Sequence, residues 1–158
     1  DPRVKAIDEF VKSGGTLVCF NRSSTSAIDS LNLPVRNATA GVARAQFFVG
    51  GSLLQVTTDP SQRVMAGMPE KAAVFFDSGP VFEPLPDFKG AILAHYDEAG
   101  SPLLSGFLLG ETYLQGKAAA LDVELGDGHV ILLGFRPQWR GQPFGTFRII
   151  FNSLLYTR

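Results

Sequence analysis

Cysteine is almost absent from this chain. Cys19 stands alone among 158 residues, which excludes an intramolecular disulfide framework and any zinc site built on several cysteines. Histidine is nearly as scarce. His95 and His129 are the only two and lie far apart in sequence, too thin a supply for a histidine-rich metal site. Neither sign of charge is in excess: 14 Lys and Arg stand against 15 Asp and Glu, a net charge of −1. That balance gives no electrostatic case for binding nucleic acid or an anionic membrane surface. No apolar run approaches the roughly 18 residues of a bilayer span. No charged segment followed by an apolar core opens the sequence, so no secretory signal is read. Also missing are a P-loop, a Gly-x-Gly-x-x-Gly turn after a strand, a His-Glu-x-x-His helix and a Gly-x-Ser-x-Gly elbow.

What remains is enough to fold. Hydrophobic residues make up 45% and charged residues 18% of the chain, a balance that favours a globular core over disorder. The length suits one domain over residues 1–158. Asp1-Pro2 reads as a helix start, and Val4, Ile7, Phe10 and Val11 fall on one face of the helix that follows. Gly14-Gly15 ends it. Thr16 to Phe20 is a short continuous apolar run, which predicts a strand buried on both faces of a parallel sheet. Ser23 to Leu31 predicts a second helix capped by Ser23 or Ser24. Gln46 to Val49 and Ser52 to Thr57 predict a hairpin around Gly50-Gly51. Further strands are read at Ala72–Phe76, Gly90–His95, Lys117–Leu125 and His129–Phe135, the last two joined by a tight Gly126-Asp127-Gly128 turn. Asp77 to Lys89, rich in proline, is read as an irregular connection. The tail, Thr146 to Tyr156, predicts a helix capped by Thr146, with Phe147, Ile150, Phe151, Leu154 and Leu155 as its buried stripe.

Doubly wound α/β folds usually open on a strand. This order opens on a helix, so the expected fold is an α/β sandwich that lacks its first strand and carries a β-rich middle. The chain is accordingly expected to be a piece of a longer polypeptide.

The candidate residues each have a plain reading beside the functional one. Cys19 sits between Val18 and Phe20 with nothing local to lower its pKa, and is expected to be a buried structural thiol. His95 and Asp97 share a strand face and could form a dyad; an exposed acid at a turn beside a strand-end histidine is the favoured reading. His129 is expected to be structural or solvent-facing. Asn21-Arg22-Ser23 and Asn37-Ala38-Thr39 fit the glycosylation pattern, which matters only in a glycosylating pathway. Asn21, Arg22 and Ser23 also fall at the carboxyl end of a strand, where α/β folds place ligands. The alternative is a helix cap with solvated neighbours. The densest polar stretch is Arg136-Pro137-Gln138-Trp139-Arg140-Gly141-Gln142-Pro143. Arg136 and Arg140 could clamp a carboxylate or phosphate, and Trp139 offers a flat face. A loop locked by an arginine–acid pair is the competing reading. The candidate binding set is therefore Asn21, Arg22, Ser23, Arg136, Gln138, Trp139 and Arg140, with no catalytic or metal-ligating residue.

The order of these pieces, from Gly15-Thr16-Leu17-Val18-Cys19-Phe20 to Gly134-Phe135-Arg136-Pro137-Gln138, resembles the class I glutamine amidotransferase-like fold. Active members deliver a Phe-His-Pro-Glu stretch from the last strand, whose His and Glu are catalytic. The matching residues here are Phe135-Arg136-Pro137-Gln138. Arginine stays protonated and cannot serve as a general base, and glutamine cannot stabilise an imidazolium as a carboxylate does. The Gly-x-Cys-x-Gly elbow is missing as well. The resemblance thus implies the fold without the glutaminase chemistry.

Residues 15–24 and 134–142 further resemble the C-terminal portion of bacterial zinc carboxypeptidases of the carboxypeptidase A type. That resemblance implies a non-catalytic accessory domain, periplasmic or secreted, partnered by an upstream peptidase domain of the same polypeptide. It would assist domain packing or bind a peptide or cell-wall ligand. Zinc would sit in the parent peptidase domain, and no cofactor is expected in this chain. The alternative is a free-standing carbohydrate- or peptide-binding module, with Trp139 as the stacking face for carbohydrate. A divergent hydrolase using Cys19 or Ser23 is the remaining reading.

Overall fold

The computed structural model describes residues 1–156. Helix α1 (Pro2–Lys12) starts where the Asp1 carboxylate accepts the Arg3 amide at 2.8 Å, satisfying one of the donors a helix start leaves open. Gly14, at φ 107°, turns the chain into strand β1 (Thr16–Phe20). Helix α2 (Arg22–Leu31) and strand β2 (Val35–Asn37) follow. The middle of the chain supplies β3 (Phe48–Thr58), β4 (Lys71–Asp77), β5 (Phe82–Pro84), β6 (Gly90–His95), β7 (Leu103–Ser105) and β8 (Leu108–Leu109). Strands β9 (Ala118–Leu125) and β10 (Gly128–Leu133) form a hairpin before helix α3 (Phe144–Leu154).

One mixed sheet runs in the order β1-β10-β9-β6-β3-β4. Among the described residues only β1 and β10 pair in parallel, with Thr16 opposite His129 and Phe20 opposite Leu133. Every other pairing is antiparallel. The sheet separates two cores, because alternate strand residues point to opposite faces. Val130 and Leu132 of β10 join Val11, Ala27, Ile28 and Leu31 beneath α1 and α2. Ile131 and Leu133 join Val56, Phe76 and Ile149 beneath α3. Full burial of such a side chain contributes about 1.5–3 kcal/mol. The architecture is an α/β sandwich, as expected from the sequence, and the middle is rich in strands.

Several local expectations are corrected. Strand β1 is not the doubly buried centre of the sheet. It lies at an edge, paired on one side only, and Cys19 alone of its residues is buried. The strands buried on both faces are β9 and β10. Gly50-Gly51 is not a hairpin turn. Strand β3 runs straight through it with a bulge between Gly50 and Ser52, the kink that an extra residue at φ 79° produces. Neither Ser23 nor Ser24 caps α2. Both lie inside it, and Asn21 holds the cap position.

Helix α3 shows the largest departure. Thr146 is not its cap; it lies within the helix, and its hydroxyl reaches Pro137 O at 2.7 Å. The face toward the sheet is Thr146, Ile149 and Ser153, while Phe144, Phe151, Leu154 and Leu155 are largely exposed. Polar anchors set that rotation. Asn152 Nδ2 donates to Val64 O and Ala66 O, both at 3.0 Å. Small residues let the helix sit close, and the apolar stripe turns outward. On α1 likewise, Val11 is buried while Ile7 and Phe10 stay exposed.

Candidate functional site

The carboxyl ends of the parallel pair β1 and β10 lie side by side, the place where open α/β sheets receive ligands. At the end of β1 the chain turns abruptly into α2 through Asn21, at φ 52°, ψ −123°. That conformation is costly for any residue with a Cβ. It is the shape of a nucleophile elbow, a sharp strand-to-helix turn that lifts one side chain above the sheet. The Asn21 amide N–H donates to Leu133 O at 2.8 Å, which ties the turn to β10. Ser24 Oγ donates to Cys19 O and Leu133 O from beneath. The elbow exists, then, without the flanking glycines and with a carboxamide at its tip.

Asn21 is 5% exposed. Its Nδ2 donates to Asp77 O at 3.2 Å, and its Oδ1 is buried without a hydrogen bond among the described residues. Gly79 lies against that oxygen and against Gly134 O, so closely that a Cβ there would strike both. The absence of a side chain at 79 is what lets the loop after β4 approach the elbow.

Arg136 enters from the end of β10. Its amide donates to Phe75 O at 2.9 Å, and its guanidinium pairs with the Asp77 carboxylate at 3.3 Å. It also lies 4.4 Å from the centre of the Trp139 ring. Its Nε is buried and makes no hydrogen bond among the described residues. Asp77 therefore holds both Asn21 and Arg136, the residues at the elbow and at the position the resemblance gives to a catalytic histidine.

Trp139 is already engaged. Phe75 stacks on it, centroids 6.0 Å apart and planes 8° apart, and Arg140 lies 5.2 Å from its centre. The expectation of an open stacking face is corrected: the indole packs the loop. Arg140 itself adopts φ 49° and is exposed, as is Gln138. Ser23 serves the backbone. Its hydroxyl accepts the Phe20 amide and donates to Phe20 O, both at 2.8 Å. Of the seven candidates, Asn21 and Arg136 share Asp77, and Arg136 and Arg140 both lie against Trp139. Arg22 faces a different feature.

That feature is a cleft of about 300 Å³ beside the elbow. Arg22 and Thr25 of α2, Thr39, Arg44, Ser78 and Gly79 line it together with the apolar Val42, Phe47, Phe48 and Phe76. The Arg44 guanidinium sits 4.2 Å over the Phe48 ring. No Asp or Glu lines it. Arg44 and Ser78 were invisible as site residues in the sequence, since only the fold brings them to Arg22.

The remaining candidates are structural. Burial pushes the Cys19 thiol up to about 11, so it is not an activated nucleophile. Asn21 is too buried to be a glycosylation acceptor, and Asn37 Oδ1 accepts the Thr39 and Val81 amides. Asp97 pairs with Lys71 at 2.7 Å and Thr57 at 2.6 Å rather than forming a dyad with His95. Lys71 first, then Thr57, holds its carboxyl below the usual range. Sequence reading missed one cluster. His129 Nδ1 lies 2.8 Å from Asp122, whose other oxygen accepts the Tyr156 hydroxyl at 2.8 Å. Burial, then Asp122, raises Tyr156 to about 12. No group of three or more His, Cys, Asp or Glu among the described residues is arranged to hold a metal ion. No helix among them is long and apolar enough to cross a membrane.

The chain matches no protein-family profile and no curated protein sequence. Solved structures share its fold. A Thermoplasma acidophilum protein assigned to GMP synthase is 12% identical with a TM-score of 0.55, over 97% of this chain and 63% of its own. A cytoplasmic protein of Salmonella typhimurium is 12% identical with a TM-score of 0.56, over 98% of this chain and 59% of its own. The β-galactosidase of Bacillus circulans sp. alkalophilus is 14% identical with a TM-score of 0.53, over 96% of this chain and 20% of its own. The chain thus spans under two thirds of the first two and a fifth of the third. These likenesses establish the glutamine amidotransferase-like fold. None of the three is a zinc carboxypeptidase, and the resemblance holds only as far as the fold. The periplasmic or secreted location drawn from it is overturned, because the same fold occurs in a protein described as cytoplasmic.

Proposed function

We propose that this chain is a non-catalytic carbohydrate-binding module whose ligand lies beside the elbow. The observation that carries it is Asn21 at the elbow's tip. A carboxamide nitrogen is neither basic nor nucleophilic, and Arg136 opposite cannot accept a proton. Both side chains can hold a ligand or a loop, and neither can attack. The cleft next to the elbow, part polar through Arg22, Thr25, Arg44 and Ser78 and part apolar, supplies the concave surface a small ligand needs.

Carbohydrate is favoured over peptide because the fold recurs as a fifth of the chain of a β-galactosidase. An unpaired edge at β1 and exposed apolar side chains on α1 and α3 support a place for this module within a longer polypeptide.

Titration of isotope-labelled protein with neutral and acidic oligosaccharides tests the reading. Amide shifts confined to Asn21, Arg22, Ser78 and Gly79, with the sugar recovered intact, are expected. Cleavage of the sugar, or turnover of glutamine or an activated ester, overturns the non-catalytic part. Shifts produced only by peptides overturn the carbohydrate part.

A further inference from the structure

We infer that the cleft beside the elbow binds the carboxylate of an acidic sugar, a uronate. This narrows the carbohydrate reading above and rests on it.

The cleft is cationic without compensation. Arg22 and Arg44 line it and no acidic residue does. The Arg44 guanidinium carbon lies 4.2 Å from the centre of the Phe48 ring, a cation–π contact that holds its forked donors at the cleft. Arg22 is the first residue of a ten-residue helix with no acid in its first turn. The positive end of that helix dipole therefore adds to the two guanidiniums. The Arg22 amide follows the elbow residue directly, the position that donates to an oxyanion in working elbows.

The rest of the ligand follows from the other polar lining. Beside the two arginines, Thr25 and Ser78 line the same cleft and offer hydroxyl partners for ring hydroxyls. The cleft thus presents partners for a carboxylate and for hydroxyls on one small molecule. A uronate carries all of these groups, whereas a neutral sugar lacks the charge and a simple carboxylate lacks the hydroxyls.

The test is a calorimetric and NMR titration of the chain with trigalacturonate, galactotriose and a tripeptide bearing a free C-terminal carboxylate, at low ionic strength. Trigalacturonate is expected to bind at least tenfold more tightly than either competitor. Arg44→Ala and Arg22→Ala should each weaken it about tenfold, and Arg3→Ala, on the exposed start of α1, should leave it unchanged. Equal affinity for galactotriose, unaffected by Arg44→Ala, overturns the uronate inference and leaves the carbohydrate reading standing. Equal affinity for the tripeptide, or no binding of either sugar, overturns both.

Discussion

Asn21 and Arg136 meet on one residue: the first donates to the backbone carbonyl of Asp77, and the second pairs with its carboxylate. The ends of β1, β10 and β4 are thereby fastened at a point where the backbone is strained. The stability of that point can be measured separately from any ligand.

The backbone at Asn21 should prefer glycine to alanine. A residue with a Cβ at φ 52°, ψ −123° carries strain of order 1–3 kcal/mol. Both substitutions remove the amide side chain, so their difference isolates the backbone. Asn21→Gly is expected to be about 1–2 kcal/mol more stable than Asn21→Ala in urea denaturation. Equal stabilities would remove the strain from the account of the elbow.

Arg136→Ala should destabilise the chain by about 1–2 kcal/mol. It loses the Asp77 pair, worth up to about 1 kcal/mol when part-exposed, and the contact with Trp139, worth about 0.5–1 kcal/mol. Arg136→Lys should recover only part of this, because an ammonium has no plane to lay on the indole. Full recovery by lysine would show that charge alone matters.

The Asp122 cluster should be stronger than any surface pair. Tyr156→Phe removes one hydrogen bond to a carboxylate that is 5% exposed, and is expected to cost about 1.5–3 kcal/mol. A double-mutant cycle of Tyr156→Phe with His129→Ala should show coupling, since both act on the same carboxylate. Additive losses would separate them.

Helix α3 offers a test of orientation. Leu154→Ser should change stability by less than about 0.5 kcal/mol, because Leu154 is exposed. Ile149→Ala should cost about 2–5 kcal/mol, because Ile149 is buried against the sheet. A costly Leu154→Ser would restore the stripe that sequence periodicity suggests.

Alkaline pH should weaken the fold. Cys19 rises to about 11 from an ordinary 9.0, and Tyr156 to about 12 from 10.0. In each case the unfolded chain releases its proton first, so stability is full below pH 9 and falls as pH rises toward 11 and 12. Cys19→Ala should flatten the lower part of that fall. In the native protein at pH 8, Cys19 should resist iodoacetamide and react once urea is added.

The broad plan of the fold was legible because burial writes it into composition. His129 to Leu133 and Ala118 to Val123 are apolar on nearly every residue, as strands covered on both faces must be. The same rule misled at Thr16 to Phe20, where a run as apolar sits at an edge. Periodicity placed the tail helix but not its rotation, which Asn152 and the small residues at 146 and 153 decide. Of the site, Arg136 and Trp139 announced themselves as a polar loop after a core strand. The elbow did not. Its geometry needs glycines only when the backbone is unsupported, and here Leu133, Asp77 and Ser24 hold an asparagine in place. Asp122 was hidden as an acid inside an apolar strand, with no sign that it, and not Glu124, is the buried one.

The parallel contact of β1 with β10 has a kinetic consequence. β1 stands near one end of the chain and its single partner near the other, so the closure that joins them encloses nearly every other element. Long closures carry a high entropic cost before any contact repays it. During synthesis the antiparallel middle can assemble while β1 waits, its apolar side chains uncovered, until the ribosome has released the β9–β10 hairpin. The elbow, whose amide bonds to Leu133, forms only at that moment. The time taken to translate from β1 to β10 thus sets how long β1 remains exposed to misassociation.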